Sequence, residues 1–213
     1  MQKISYSIID NIPVFKCSAC KNCTSIESIN AFNFYRGCCF YFPKYSLIDI
    51  KHIINYDENF LFELIKEKNV IIHDYYIRVV GTFYKEKYKK FLENNLKEDL
   101  LKYGDFDTSL FFKKCYFVSE KGCSISFKLR PYECNLYLCR HVVNKCRRKN
   151  NKYSRERKDY FAYCSYTNMM LKEDLIKSNI NLKNNFKECI ELLKKDPIYN
   201  FSFSNLENIE ISS

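Results

Sequence analysis

Residues 17–23 read Cys-Ser-Ala-Cys-Lys-Asn-Cys, so that a cysteine recurs at every third position. Two residues between cysteines let one turn of backbone present both sulfurs to a single metal, and the thiolate is the form that binds Zn²⁺ and iron–sulfur clusters. Three cysteines in series are more specific than one pair. The stretch therefore predicts a metal site around which the rest of the chain is organised.

The N-terminal triplet is incomplete as a cluster motif. It matches the first three members of the bacterial ferredoxin run Cys-x2-Cys-x2-Cys-x3-Cys-Pro, but Glu27 stands where the fourth cysteine would fall. The remaining ligands must come from elsewhere in the chain. Its twelve cysteines include nine candidate ligands: Cys17, Cys20, Cys23, Cys38, Cys39, Cys115, Cys123, Cys134 and Cys139. The other three, Cys146, Cys164 and Cys189, lie among apolar neighbours on predicted helices and are expected in the core.

The order of the cysteine motifs resembles a known family. Cys115 and Cys123-Ser-Ile are followed by Arg130-Pro-Tyr-Glu-Cys134 and then Cys139. With the N-terminal triplet, this series resembles the CxxCxxCC family of zinc- or iron-chelating proteins, also called YkgJ family cysteine cluster proteins. The resemblance covers roughly residues 15–140, with a long insertion between its two halves, and it implies metal binding.

This chain departs from the family pattern at three positions. The last cysteine of the N-terminal signature is Thr24 here, and Tyr116 and Val118 replace the usual proline and leucine of the later part. Cys38 and Cys39 are expected to supply the missing thiols. Flagellin lysine-N-methylases have a similar cysteine series, which leaves an enzymatic role open.

Composition and compartment favour metal binding over disulfides. The chain has 213 residues, of which 46% are hydrophobic, and it can bury a core without disulfide staples. The N-terminus lacks the basic, apolar and small-residue sections of a signal peptide. The uncharged stretch 160–171 is shorter than the roughly 20 apolar residues that span a bilayer. We therefore expect a cytoplasmic protein with reduced thiols and no membrane association.

Positive charge is concentrated after the last predicted ligand. The net charge is +10, and residues 145–158 hold eight basic residues against one acid. Such a run is either a solvated helix junction or a surface for anions or nucleic acid, where Tyr153 could stack on a base. The residues proposed for that surface are Arg147, Arg148, Lys149, Arg155 and Arg157. No fold signature of a nucleic-acid-binding module accompanies them.

Glycine usage argues against common nucleotide-binding enzymes. The chain has only four glycines and none are closely spaced, so it contains neither a P-loop nor a dinucleotide-binding fingerprint. Enzymes that use S-adenosylmethionine on a doubly wound fold normally need a glycine-rich loop. This observation weakens the methylase alternative.

The pattern of elements predicts an α+β, mostly helical fold, in which a cysteine-cluster metal site joins an N-terminal loop to a later loop–helix segment. Residues 1–16 are expected to be extended. Ser46-Leu-Ile-Asp49 resembles a capping box at a helix start, and residues 70–80 are rich in β-branched and aromatic residues, which predicts a strand pair or one bent strand. Further helices are predicted over 57–68, 84–103, 135–148, 154–178 and 182–195.

We divide the chain into a cysteine-cluster metal-binding domain over 1–145, with a helical and stranded insertion at about 44–108, and a C-terminal helical extension over 146–213 that packs on it. The predicted function is to hold an iron–sulfur cluster, 4Fe–4S being favoured, or zinc, in a redox, cluster-handling or structural role, with or without a protein partner. The alternatives are a cluster-dependent protein-modifying enzyme and a zinc-stabilised nucleic-acid-binding module.

Overall fold

A computed structural model describes residues 2–18, 41–95, 104, 107–119, 122–138, 143, 150–195, 197 and 201–211. The strands are β1 (Gln2–Ile9), β2 (Ile12–Cys17), β3 (Lys44–Ser46), β4 (Val70–His73), β5 (Tyr76–Val79), β6 (Thr82–Phe83), β7 (Lys113–Lys114), β8 (Val118–Ser119), β9 (Gly122–Cys123) and β10 (Ile209–Ile211). The described α-helices are α1 (Leu47–Leu64), α2 (Lys85–Glu93), α3 (Tyr132–Asn135), α4 (Asn150–Lys177) and α5 (Phe186–Lys195). Two 3₁₀ helices cover Thr108–Phe112 and Phe127–Leu129.

The chain begins with a β-hairpin. Strands β1 and β2 pair antiparallel up to Ile9↔Ile12, and the two turn residues Asp10 and Asn11 have φ of 51° and 59°. Asp and Asn tolerate this left-handed conformation better than most residues, and it matches the twist of a two-residue hairpin turn. At the other end of the chain, β10 adds to β1 antiparallel, so the N- and C-terminal segments share one sheet.

Helix α1 begins where the capping box predicts. Asp49 Oδ2 accepts from the backbone N–H of Ser46 at 2.9 Å and from its hydroxyl at 2.6 Å. The helix kinks at Asp57, whose φ and ψ are −158° and 84°. The two helices predicted on either side of residue 57 are thus one kinked helix. Ahead of α1, β3 pairs with β5, and β5 pairs with β4, which confirms the predicted strand pair.

The core lies between α1 and the two C-terminal helices. Apolar residues of α1 such as Ile50 and Ile53 are fully buried, and α1 packs against both α4 and α5. The ammonium group of Lys51 is buried in the same interface and donates to the carbonyl of Leu193. A second, smaller core gathers Leu110, Phe111 and Phe112 of a 3₁₀ helix under the aromatic face of α2.

The predicted balance of the fold is wrong. The structure is about 49% helical and 21% strand, with the strands in small sheets, so it is a mixed α+β fold and not a mostly helical one. The N-terminal segment, predicted to be extended, forms the two strands of the hairpin, and the predicted cysteine loop lies outside the described residues from residue 19 onward. Several strands are only two or three residues long. Strands this short cannot show the alternation by which a sequence reveals a strand.

Three of the helix predictions also need correction. Helix α3 ends at Asn135, and residues 136–138 are not helical, because Leu136 and Leu138 both turn into the core. Helix α4 starts at residue 150, and α5 starts only at residue 186. The predicted helix over 84–103 is seen as α2, Lys85–Glu93, and residues 96–103 lie outside the described residues. No helix in the described ranges is both long and apolar enough to cross a membrane.

Candidate metal centre

Three of the predicted ligands act electrostatically on one buried tyrosine. Tyr45 of β3 is fully buried, and its hydroxyl donates to the carbonyl of Leu129 at 3.1 Å. Burial raises the pKa of Tyr45, and the charges of Cys134, Asp49, Cys123 and Cys115 raise it further. Cys115 and Cys123 belong to one hairpin and Cys134 to α3, yet all three act electrostatically on the same phenol. The fold thus gathers them at one place.

A short hairpin sets the positions of the first two thiols. Cys115 follows β7 directly, and its carbonyl accepts from the N–H of Val118 at 3.2 Å. Strand β8 then pairs with β9 through Val118↔Cys123. Next along the chain, the N–H and hydroxyl of Ser124 both donate to the carbonyl of Phe117, at 2.8 and 2.9 Å. The Cys-Ser-Ile motif therefore closes the loop between Cys115 and Cys123.

The Arg-Pro-x-x-Cys motif forms the turn that carries Cys134. The Arg130 guanidinium donates to the carbonyl of Ile125 through Nε at 3.1 Å and Nη2 at 2.9 Å. Pro131 is the residue before α3, where its fixed φ suits a helix start and no amide donor is lost. In this structure the arginine fixes the backbone of the 125–130 loop. Its role is explained by that loop.

Asp49 joins this turn to the start of α1. Its Oδ1 accepts from the N–H of Tyr132 at 2.8 Å, while Oδ2 holds Ser46. Burial raises the pKa of the Asp49 carboxyl to about 7, against the lowering effect of these hydrogen bonds. Asp49 is therefore a buried acid that positions the helix bearing Cys134 against the strand bearing Tyr45.

Cys17 approaches the same region from the N-terminal hairpin. Strand β2, which ends at Cys17, packs against α3. Cys17 and Cys123 are partly buried against the core cluster that includes Cys115. Four predicted ligands are thus described on neighbouring elements. The predicted ligands Cys20, Cys23, Cys38, Cys39 and Cys139 lie outside the described residues.

The described thiols do not by themselves make a metal site. Within the described ranges, no group of three or more His, Cys, Asp or Glu side chains is arranged to hold a metal ion. Thiolates bind zinc and iron–sulfur clusters, so the donor chemistry of these side chains fits such a site. The described residues alone do not complete a ligand set. The complete ligand set stays a prediction.

Two cysteines predicted to be core residues are confirmed as such. Cys164 on α4 and Cys189 on α5 are 1% and 0% exposed. Burial raises the pKa of both thiols, that of Cys189 to about 11. They are protonated near neutral pH and therefore poor metal ligands. Cys146, predicted to be a core residue as well, lies outside the described residues.

Of the residues proposed for the anion surface, the two that the structure describes are paired or half-buried. Arg155 is exposed and lies 3.6 Å from Asp159, and Arg157 is half-buried, with burial lowering its pKa. Glu156 accepts from the hydroxyl of Tyr6 at 2.6 Å. Tyr153 is 2% exposed, so it is not available to stack on a base. Arg147, Arg148 and Lys149 lie outside the described residues.

Two residues that organise the thiols were not predicted from the sequence to do so. Asp49 was identified only as a helix cap, and Tyr45 carried no motif. A carboxylate in a capping box is normally exposed at a helix end, and its partner Tyr132 is 83 positions away. The one available signal was Ser46-Leu-Ile-Asp49 itself, since it fixed where α1 begins.

Substituting Tyr45 with Phe is expected to lower the free energy of unfolding by about 1 kcal/mol. The change removes the hydroxyl that donates to Leu129 and leaves that carbonyl without its partner. Urea unfolding measures the loss, with Tyr166→Phe as the matched control because Tyr166 is 58% exposed on α4. Equal stabilities of the two variants would contradict a structural role for the Tyr45 hydroxyl.

The chain matches no protein-family model, and no curated protein or solved structure matches it.

Proposed function

We propose that the protein binds an iron–sulfur cluster, or alternatively zinc, through its clustered cysteines. One observation carries this proposal: Cys115 and Cys123 at one hairpin and Cys134 on α3 all act electrostatically on the buried phenol of Tyr45. An apolar core can also bury thiols. The two described core cysteines, Cys164 and Cys189, are however single residues on separate helices. The thiols of the later cysteine motifs, by contrast, share one buried neighbour, Tyr45.

The proposed ligands are the three thiols around Tyr45 together with members of the N-terminal series that starts at Cys17. A cluster held by thiolates supplies one-electron transfer, whereas zinc in an all-cysteine site stabilises the local fold. Ligating thiols must be deprotonated and kept from forming disulfides, so we propose a reducing compartment, the cytosol. The resemblance to the CxxCxxCC family supports the same proposal.

The experiment is metal analysis of the whole chain purified without oxygen. We expect iron with acid-labile sulfide and visible absorption, or zinc in a colourless protein, at a fixed ratio per chain. Cys123→Ala and Cys134→Ala should each lose most of the bound metal, because each removes a ligand. Cys164→Ala and Cys189→Ala are matched controls that change a buried cysteine on a helix and should keep it.

Two results would contradict the proposal. One is a chain that contains neither iron nor zinc after anaerobic purification. The other is metal that is lost equally from the ligand variants and from the folded core variants, since this would mean that binding follows overall stability. Circular dichroism of each variant separates loss of ligand from loss of fold.

The two alternative functions gain no support from the described residues. For a nucleic-acid surface, Tyr153 is buried and Arg155 is paired with Asp159. For a cluster-dependent modifying enzyme, the resemblance to lysine methylases rests on the shared cysteines alone. We therefore propose metal binding without assigning a reaction.

A further inference from the structure

A cavity of about 330 Å³ is lined by residues of α1, α4, the β1–β2 turn, the second 3₁₀ helix and the C-terminal tail. Its size is at the lower end of the range for small-molecule sites, which suits a metabolite and not a large ligand. None of the cysteines described above lines it. The cavity is thus a feature separate from the thiols.

One wall of the cavity is aromatic. Tyr160 and Tyr163 of α4 and Phe201 and Phe203 of the tail pack on one another, with ring centroids 4.9–5.6 Å apart. Tyr56 of α1 lines the cavity too. Tyr160 is 2% exposed and lies behind the wall, so the half-buried rings of Tyr163, Phe201 and Phe203 are the ones that offer faces on which a flat ring can stack. The wall favours a planar ligand.

The α1 side offers neutral hydrogen-bonding groups. His52 and Asn55 lie one helical turn apart and both line the cavity. Burial lowers the pKa of His52 to about 4, so its imidazole is neutral near pH 7. Neither side chain makes a hydrogen bond with any described residue. A neutral imidazole and a carboxamide each present a donor and an acceptor, the combination that reads the edge of a nitrogen heterocycle.

The charged groups at the rim compensate each other. Lys128 forms an ion pair with Asp10, and its ammonium lies 4.4 Å from the centroid of the Tyr56 ring. An anionic ligand would have to compete with Asp10 for this lysine. The cavity therefore favours a ligand without net charge.

A small recess adjoins the cavity and contains an acceptor that lacks a partner. Ile12, His52 and Lys128 line both spaces, and the recess of about 10 Å³ extends to Asn135. Asn135 is 3% exposed, and its Oδ1 has no hydrogen-bond partner among the described residues. Buried acceptors are normally satisfied, so this oxygen calls for an N–H or O–H donor, from a ligand or from one bridging water.

We propose that this cavity binds a neutral planar nitrogen heterocycle, a nucleobase or its nucleoside. The base stacks on the aromatic wall, and its edge meets His52 and Asn55. The proposal does not depend on metal binding, because it rests on different residues, and either can fail without the other.

Titration of the purified full-length protein with adenosine, guanosine, cytidine and uridine tests the proposal. Intrinsic tyrosine fluorescence reports binding directly, since the chain has no tryptophan and three tyrosines line the cavity. We expect saturable binding of at least one nucleoside, confirmed by calorimetry. Asn55→Ala should weaken it about tenfold, the effect of one lost hydrogen bond. Asn151→Ala changes an exposed asparagine on α4 and should not.

Three results would overturn the proposal. The first is no saturation by any of the four nucleosides up to about 1 mM. The second is binding that Asn55→Ala and His52→Ala leave unchanged. The third is a nucleoside monophosphate that binds more than tenfold tighter than its nucleoside, since that would make the site an anion site. D-ribose should not bind, because it has no ring that stacks.

Discussion

Replacing Gly81 with Ala is expected to lower the free energy of unfolding by about 3 kcal/mol, at the top of the range for an overpacked core. A Cβ atom at Gly81 would overlap the carbonyl oxygen of Lys114 and would lie 2.7 Å from Cε1 of Phe42. Lys114 pairs with Thr82 in the β6–β7 sheet, so the carbonyl cannot retreat without breaking that pairing. The clash is with backbone, and a rotamer change cannot relieve it.

Thermal or urea unfolding measures this loss, and Gly104→Ala is the matched control. Gly104 has a φ of +55°, and an added Cβ would meet nothing within 4 Å. Alanine there carries only the cost of a left-handed conformation, about 1 kcal/mol. If Gly81→Ala were as stable as Gly104→Ala, the tight approach of residue 81 to β7 would be contradicted.

Gly81→Ala should also change the surroundings of the Cys115 thiol, because Lys114 directly precedes Cys115. Displacing β7 moves Cys115 away from Tyr45, so we expect its buried thiol to react faster with an alkylating reagent in Gly81→Ala than in the unaltered protein. Mass spectrometry of labelled peptides assigns the reacted cysteine.

Locally determined features of the fold were predictable from the sequence. The capping box fixed the start of α1, because Ser46 and Asp49 are only three residues apart. The β-branched run 70–80 predicted the β4–β5 pair. Asp10-Asn11 is also a recognisable turn signal between apolar runs, and it could have revealed the N-terminal hairpin.

Features determined by distant contacts were not predictable. Leu136 fits the helical spacing predicted over 135–148, yet α3 ends before it because both Leu136 and Leu138 are buried in the core. The convergence of Cys115, Cys123 and Cys134 could be anticipated from their motif, whereas the residue at its centre could not. Tyr45 lies 70 positions before the first of these thiols. Nothing in its immediate neighbours indicates what it will contact.

We expect the stability advantage of the unaltered protein over an Asp49→Asn variant to be larger at pH 5 than at pH 7. Burial raises its pKa from 3.8 to about 7 in the folded chain. Between these values the folded state keeps a proton that the unfolded chain has lost, so stability falls as pH rises. The size of this effect is about 1 kcal/mol per pH unit within the window.

The neighbouring groups do not obscure this window. Glu133 also raises the pKa of Asp49, and the other titratable groups that interact with it are Tyr45, Tyr132, Tyr160 and Cys164. Burial raises the pKa of each of these four, which keeps them protonated between pH 4 and pH 7. Glu133→Gln in both backgrounds removes the remaining contribution.

The measurement is urea unfolding of both proteins at intervals from pH 4 to pH 7.5. Asparagine cannot accept from Ser46 and Tyr132 at once, since one of its two atoms is a donor, so the variant is less stable throughout. The informative quantity is the difference between the proteins, which should grow as pH falls. Asp174→Asn, a change of a half-exposed carboxyl on α4, should give a flat difference. A flat difference for Asp49→Asn would mean that the buried carboxyl is ionised, and that the turn carrying Cys134 is held by a charge.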